Sequence, residues 1–99
     1  MNEPHYYEAH VQYDLMSHST HGERRLTLET AKNFGFWSSE VTRDDDADEE
    51  HCFFTTRDTD YKRCEARMHD LVSALSKIAA VTTRRQKIEA CVYDTAFGG

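Results

Sequence analysis

The chain has 99 residues, of which 38% are hydrophobic, 30% charged and 11% aromatic, and its formal net charge is -6. This length suits one domain with one core, spanning residues 1–99, and the aromatic content argues against disorder. No apolar run approaches the roughly 20 residues that a membrane-spanning helix needs, so we expect no contact with a membrane.

The N-terminal sequence and the cysteines both favour the cytoplasm. Residues 1–5 lack the basic start and the apolar stretch of a secretory signal. Cys52, Cys64 and Cys91 are odd in number and widely spaced, which is typical of reduced thiols. We therefore expect a protein of the cytoplasm of the producing or infected cell, without a structural disulfide.

The negative charge is concentrated between residues 40 and 50, called the acidic segment below. Its seven acidic residues are Glu40, Asp44, Asp45, Asp46, Asp48, Glu49 and Glu50. Arg43 is its single basic residue, and acidic and basic residues are equal in number in the rest of the chain. This distribution disfavours direct binding of nucleic-acid phosphates and favours a partner with a basic surface.

The first half of the chain predicts a strand, a helix and a strand. Apolar and polar residues alternate over residues 5–13, which indicates a strand. Thr20 and Glu23 have the spacing of a capping box, and a helix is predicted over 21–34 with Leu28, Ala31 and Phe34 on its buried side. Gly35 ends this helix, and residues 36–43 form the second predicted strand.

The second half predicts a strand, a longer helix and a last strand. Like charges cannot pair cheaply across a sheet, so residues 44–50 are predicted to be a hairpin loop before a strand at 51–57. Asp60 and its neighbours can cap a helix over 61–78, which has one apolar stripe. Alternation over 84–94 predicts the fourth strand.

The predicted order βαββαβ has one obvious packing, an α+β fold of the ferredoxin-like kind. Both helices would cover one face of a four-stranded antiparallel sheet. The other face would stay open. Its predicted side chains are Glu8, His10, Gln12, Lys87, Glu89, Cys91 and Tyr93.

Several segments resemble a family of small bacterial and phage proteins, in the same order and over most of the chain. They are Tyr-Glu-Ala-His-Val at 7–11, Ala-Lys-Asn-Phe-Gly-Phe at 31–36, the stretch 53–61, and Gln-Lys-Ile-Glu-Ala at 86–90 with Tyr93 and Asp94. The resemblance implies the ferredoxin-like fold and includes no catalytic signature. The acidic segment departs from the mixed loop expected in that family, which makes it the place for a specialised role.

The acidic segment is the first candidate site. Asp44, Asp46 and Asp48 match the start of a calcium loop, but Glu49 replaces its glycine and Thr55 its last glutamate, which excludes an EF-hand. Two alternatives are a solvated loop and weak cation binding. A third is contact with a protein groove that normally receives phosphates.

The loop before the first helix is a candidate anion site. It places hydroxyl groups, imidazoles and guanidinium groups near a helix N-terminus, from His18, Thr20, His21, Arg24 and Arg25. The alternative is that Thr20 only caps the helix while the histidines are solvated. His18-Ser19-Thr20 also fits one element of two-histidine phosphoesterases, but the chain has no second such element.

The open sheet face is the third candidate, a site for a ligand or for a second copy of the chain. Its residues are Glu8, His10, Lys87, Glu89 and Tyr93. The alternative is a row of ion pairs across the strands. Sequence-specific RNA binding would need stacked aromatics in a basic surround, and neither is evident.

The histidines and cysteines do not predict a metal site. No Cys-x-x-Cys or His-x-x-x-His pair occurs, and Cys64 lies on the apolar stripe of the second helix, so core thiols are expected. We expect no cofactor.

These patterns favour a non-enzymatic protein-binding module, such as a phage-type inhibitor, that uses the acidic segment against a basic partner surface. Pairing of two copies through the open face is a further prediction. The alternative is a small protein that binds or hydrolyses phosphate esters or nucleotides with the loop before the first helix and His10. Neutralising the charges of the acidic segment or adding salt should weaken only the protein-binding function. Loss of one histidine should weaken only the binding or hydrolysis of phosphate esters.

Overall fold

The computed structural model describes residues 5–39 and 52–92. Six elements follow one another along these ranges, in the order strand, helix, strand, strand, helix, strand. They are β1 (Tyr6–Leu15), α1 (His21–Asn33), β2 (Trp37–Ser39), β3 (Cys52–Asp58), α2 (Tyr61–Leu75) and β4 (Val81–Cys91). The predicted hairpin loop at 44–50 and the end of the chain after residue 92 lie outside the described ranges.

The four strands form one sheet in the order β2-β3-β1-β4, and every neighbouring pair is antiparallel. The predicted α+β class, with a four-stranded antiparallel sheet and two helices, is confirmed. In the described part of the chain, β2 and β4 are the outer strands. Neither described helix is long and apolar enough to cross a membrane.

The hydrophobic core lies between one face of the sheet and the helices. Ala9, Val11 and Tyr13 of β1 are buried in alternation, as the period of two predicts. The Tyr13 ring stacks on Phe54 of β3, with ring centres 4.2 Å apart and planes 7° from parallel. Helix α2 contributes its stripe to the same core, with Cys64, Met68, Leu71 and Leu75.

Helix α1 begins as predicted, and its buried side matches the prediction at Ala31 and Phe34 but not at Leu28. Thr20 and Glu23 form the capping box, each side chain bonding the other's backbone N–H. Thr27 and Ala31 are buried, whereas Leu28 is 50% exposed. The prediction that Leu28 joins the core is therefore wrong. Residue 28 lies about 100° further round the helix than Thr27, whose hydroxyl is satisfied by donating to the Glu23 carbonyl.

Helix α2 and strand β4 differ from their predicted bounds. The helix ends at Leu75 instead of 78, and β4 begins at Val81 instead of 84. A register shift between β1 and β4 explains why the sequence pattern predicts that β4 begins at residue 84, three residues too late. Val11 pairs with Gln86 and Tyr13 with Thr83, so Arg84 and Arg85 together stand opposite one β1 residue. This bulge interrupts the alternation that the sequence pattern relies on.

Candidate functional site

The sheet face opposite the core carries a cluster of polar and charged side chains. Strand pairing places Glu8 beside Arg57 and Glu89, and His10 beside Thr55 and Lys87. These six residues are called the open-face cluster below. Because successive side chains alternate across a sheet, all six share the face that the helices leave uncovered.

Ion pairs connect the cluster across three strands. Glu8 Oε2 accepts a hydrogen bond from Arg57 Nε at 2.9 Å, and Glu8 Oε1 lies 3.0 Å from His10 Nε2. His10 Nε2 also lies 3.5 Å from Glu89 Oε2. Lys87 Nζ lies 2.8 Å from Glu89 Oε1, and this hydrogen bond holds the pKa of Glu89 below its ordinary value. Each carboxylate thus contacts a cation with one oxygen and His10 with the other.

A chain of hydroxyl groups holds the other nitrogen of the His10 ring. His10 Nδ1 lies 3.0 Å from Thr55 Oγ1, which lies 2.9 Å from Ser39 Oγ. Ser39 donates to the Phe53 carbonyl at 3.3 Å. The two hydroxyl groups therefore orient the His10 ring, with Nδ1 towards Thr55 and Nε2 towards the two carboxylates.

Two aromatic rings flank the guanidinium group of Arg57. Its central carbon lies 5.2 Å from the ring centre of Tyr6 and 5.9 Å from that of Trp37, within cation–π range. Trp37 is 46% exposed, and the Arg57 side chain 59%. An accessible aromatic–guanidinium group therefore lies beside the charged centre of the open-face cluster.

The predicted site residues have different outcomes. The structure brings Glu8, His10, Lys87 and Glu89 together, while Tyr93 lies outside the described residues. Sequence reasoning missed Thr55, Arg57 and Trp37. The alternation of Thr55 with Arg57 in β3 could have placed both on this face, but their proximity to His10 depends on a register between distant strands.

The loop before α1 shows helix capping. Thr20 Oγ1 accepts from Glu23 N at 3.1 Å, and Glu23 Oε1 accepts from Thr20 N at 3.0 Å. Arg24 Nε donates to Ser19 Oγ at 3.0 Å. The other predicted anion-site residues, His18, His21 and Arg25, are exposed. The Glu23 carboxylate places negative charge where an anion would have to bind, so this geometry adds no support to an anion site.

The acidic segment lies outside the described residues, as do the side chains of Glu40, Asp44, Asp45, Asp46, Asp48, Glu49 and Glu50. Its role therefore stays a prediction. Cys52, Cys64 and Cys91 form no disulfide in the described part of the chain, and Cys64 is buried in the core as expected.

Comparison with protein-family models, with curated proteins and with solved structures found no match. The resemblance to small bacterial and phage proteins stays a prediction, and the case for a site rests on geometry alone.

Proposed function

We propose that the chain is a non-enzymatic protein-binding module whose contact surface is centred on Trp37 and Arg57 of the open face. The observation that carries this proposal is the Arg57 guanidinium group flanked by Tyr6 and the exposed Trp37. Tryptophan, tyrosine and arginine are the residues that dominate binding energy at protein interfaces. Their grouping on the sheet face that the two described helices do not cover supports a binding role.

We also propose that the fold is ferredoxin-like. Helix α1 joins β1 to β2, two strands apart with β3 between them, and α2 joins β3 to β4 with β1 between them. The two strand–helix–strand units therefore interleave in one sheet. This interleaving supports the ferredoxin-like assignment and accounts for a sheet with both described helices on one face.

The proposed partner is a protein with a basic surface. Trp37 and Ser39 directly precede the acidic segment in the chain, so a partner held by that segment would also reach the aromatic–guanidinium group. The open-face cluster is itself balanced in charge, since Glu8 and Glu89 contact Arg57 and Lys87. The charge preference for the partner therefore comes from the acidic segment, and the shape preference from the aromatic rings.

The test compares four variants in a pull-down followed by affinity measurement with the purified partner. Trp37→Ala and Arg57→Gln change the proposed surface, and a fourfold Asp→Asn variant neutralises Asp44, Asp45, Asp46 and Asp48. Arg84→Gln is the matched control, because its side chain has the same 59% exposure as Arg57 and pairs with Asp14 on a different part of the sheet.

We expect the wild type and Arg84→Gln to retain a basic protein that the other three variants bind at least about tenfold more weakly. Equal retention by all variants would overturn the proposal. Sedimentation of the wild type and Trp37→Ala measures self-association, and a dimer lost in the variant would instead identify the occupant as a second copy. The phosphate-ester alternative stays a prediction without added support.

A further inference from the structure

We infer that Glu8, His10 and Glu89 form a binding site for a divalent first-row transition-metal ion. Each residue offers one ligand atom, and these atoms all lie within 4.8 Å of one another. Neighbouring strands hold Glu8 and Glu89 as a direct cross-strand pair, and His10 follows two residues along the same face. The inference is independent of the proposed partner binding.

The orientation of the His10 ring favours a metal site at this point. Thr55 and Ser39 hold Nδ1, so Nε2 is the ring atom turned towards the two carboxylates. Nε2 lies 3.0 Å from one oxygen of Glu8 and 3.5 Å from one of Glu89, distances at which a ring N–H donates to a carboxylate when no metal is bound. A metal ion would take the place of that proton among the three atoms.

The surroundings of the ligand atoms match those of protein metal sites. A metal-binding histidine nearly always donates its other ring N–H to a neighbouring acceptor, which orients the ring, and Thr55 Oγ1 lies where that acceptor is needed, 3.0 Å from Nδ1. Arg57 and Lys87 hold the second oxygens of the two carboxylates, at 2.9 Å and 2.8 Å. All three ligand groups are thus oriented by a contact outside the site.

The ligand set selects the class of metal. One imidazole nitrogen with two carboxylate oxygens suits zinc, cobalt and manganese, whereas calcium and magnesium favour oxygen ligands throughout. The positive charges of Arg57 and Lys87 oppose a second cation nearby. Affinity should therefore rise when Lys87, whose side chain is 65% exposed, loses its charge.

The experiment locates the ion and measures its affinity. Co²⁺ is added to ¹⁵N-labelled chain in the fourfold Asp→Asn background, which removes four of the seven competing carboxylates of the acidic segment. We expect paramagnetic broadening to be greatest at the amides of residues 8–10 and 88–90. Zn²⁺ calorimetry then compares Glu89→Gln, Lys87→Gln and the control His69→Gln, which changes an exposed histidine on α2.

Glu89→Gln should weaken Zn²⁺ binding about tenfold or more, Lys87→Gln should strengthen it about threefold, and His69→Gln should leave it unchanged. Glu89 is 47% exposed, so its replacement will not unfold the chain. Broadening centred elsewhere, or equal affinity of Glu89→Gln and the wild type, would overturn the inference. Thr55→Val provides a second check, because loss of the hydroxyl should weaken binding while all three ligands remain.

Discussion

The guanidinium group of Arg67 lies where a Cβ atom on Gly35 would have to be placed. Gly35 follows α1 with a φ of +78°, a conformation that side-chain-bearing residues rarely adopt. Arg67 of α2 donates from Nη2 to the Phe34 carbonyl at 3.1 Å and to the Gly35 carbonyl at 3.2 Å. One side chain of α2 therefore holds the turn that follows α1.

Gly35→Ala is expected to lower the free energy of unfolding by about 2 kcal/mol, because the backbone is strained and Arg67 must move. Urea denaturation at neutral pH measures this loss. Gly22→Ala is the control, since a Cβ there would meet only Thr20 Oγ1 at 3.8 Å and α1 should gain up to about 0.5 kcal/mol. Equal changes in the free energy of unfolding for Gly35→Ala and Gly22→Ala would contradict the strained turn and the Arg67 contact assigned to Gly35.

Asp58→Asn should destabilise the chain by about 2 kcal/mol near pH 7. The Asp58 carboxylate is 4% exposed and accepts from Arg63 Nε at 2.8 Å and from Arg67 Nη1 at 3.2 Å. Replacing it leaves both guanidinium groups with a weaker acceptor. The exposed pair of Asp14 with Arg84 provides the control, because Asp14→Asn should cost no more than about 0.5 kcal/mol.

The same carboxylate predicts a loss of stability in acid. The hydrogen bond from Arg63 holds the pKa of Asp58 well below its ordinary value of 3.8. A carboxyl group whose pKa is lower in the folded chain than in the unfolded chain stabilises the fold at pH values above its unfolded pKa. That stability is lost as the pH falls below about 4. The urea midpoints of the wild type and Asp58→Asn should therefore approach each other as the pH is lowered from neutral to about 3. A constant difference would count against the ion pair.

The wild type should lose stability in alkali, and the Tyr13→Phe variant should not show this loss. Burial raises the pKa of Tyr13 from 10.0 to about 12. When the pKa of an acidic group is higher in the folded chain, the group does not lower the free energy of unfolding at pH values below its unfolded pKa. The free energy of unfolding falls as the pH rises above that unfolded pKa. The wild type should lose about 1 kcal/mol relative to Tyr13→Phe between neutral pH and pH of about 11. Phenolate absorbance in the folded chain provides an independent measurement.

Leu28→Ala and Leu71→Ala should differ strongly in their effects. Leu71 is fully buried between α2 and the sheet, so its truncation should cost about 3 kcal/mol. Leu28 is 50% exposed, and its truncation should cost less than about 0.5 kcal/mol. Thermal unfolding measures both. A large effect at Leu28 would restore it to the core that its spacing predicts.

Local patterns in the sequence were sufficient to predict much of the fold. The stripe of α2 and the capping box of Thr20 and Glu23 each depend on residues close together in the chain. The bulge at Arg84 and Arg85 was not predictable, because a register shift is a property of two paired strands.

The candidate site was predictable only in part for the same reason. Glu8 and His10 lie two residues apart on one strand, so their shared face follows from the pattern. Their contacts with Arg57 and Thr55 join positions more than 40 residues apart and require the register. The prediction for Leu28 was wrong for a different reason. Thr27 and Ala31 define the buried side of α1, and the hydrophobicity of the residues alone does not reveal that side.

The bulge in β4 also affects how the molecule behaves at high concentration. In the part of the chain that the structure describes, β4 is an outer strand of eleven residues, and such an edge can template the addition of strands from other chains. Arg84 and Arg85 place two neighbouring positive charges at the irregular point of this edge. An incoming strand would have to follow the distortion and bring its backbone against both charges. Growth of the sheet into fibrils is therefore disfavoured at the edge that would otherwise invite it.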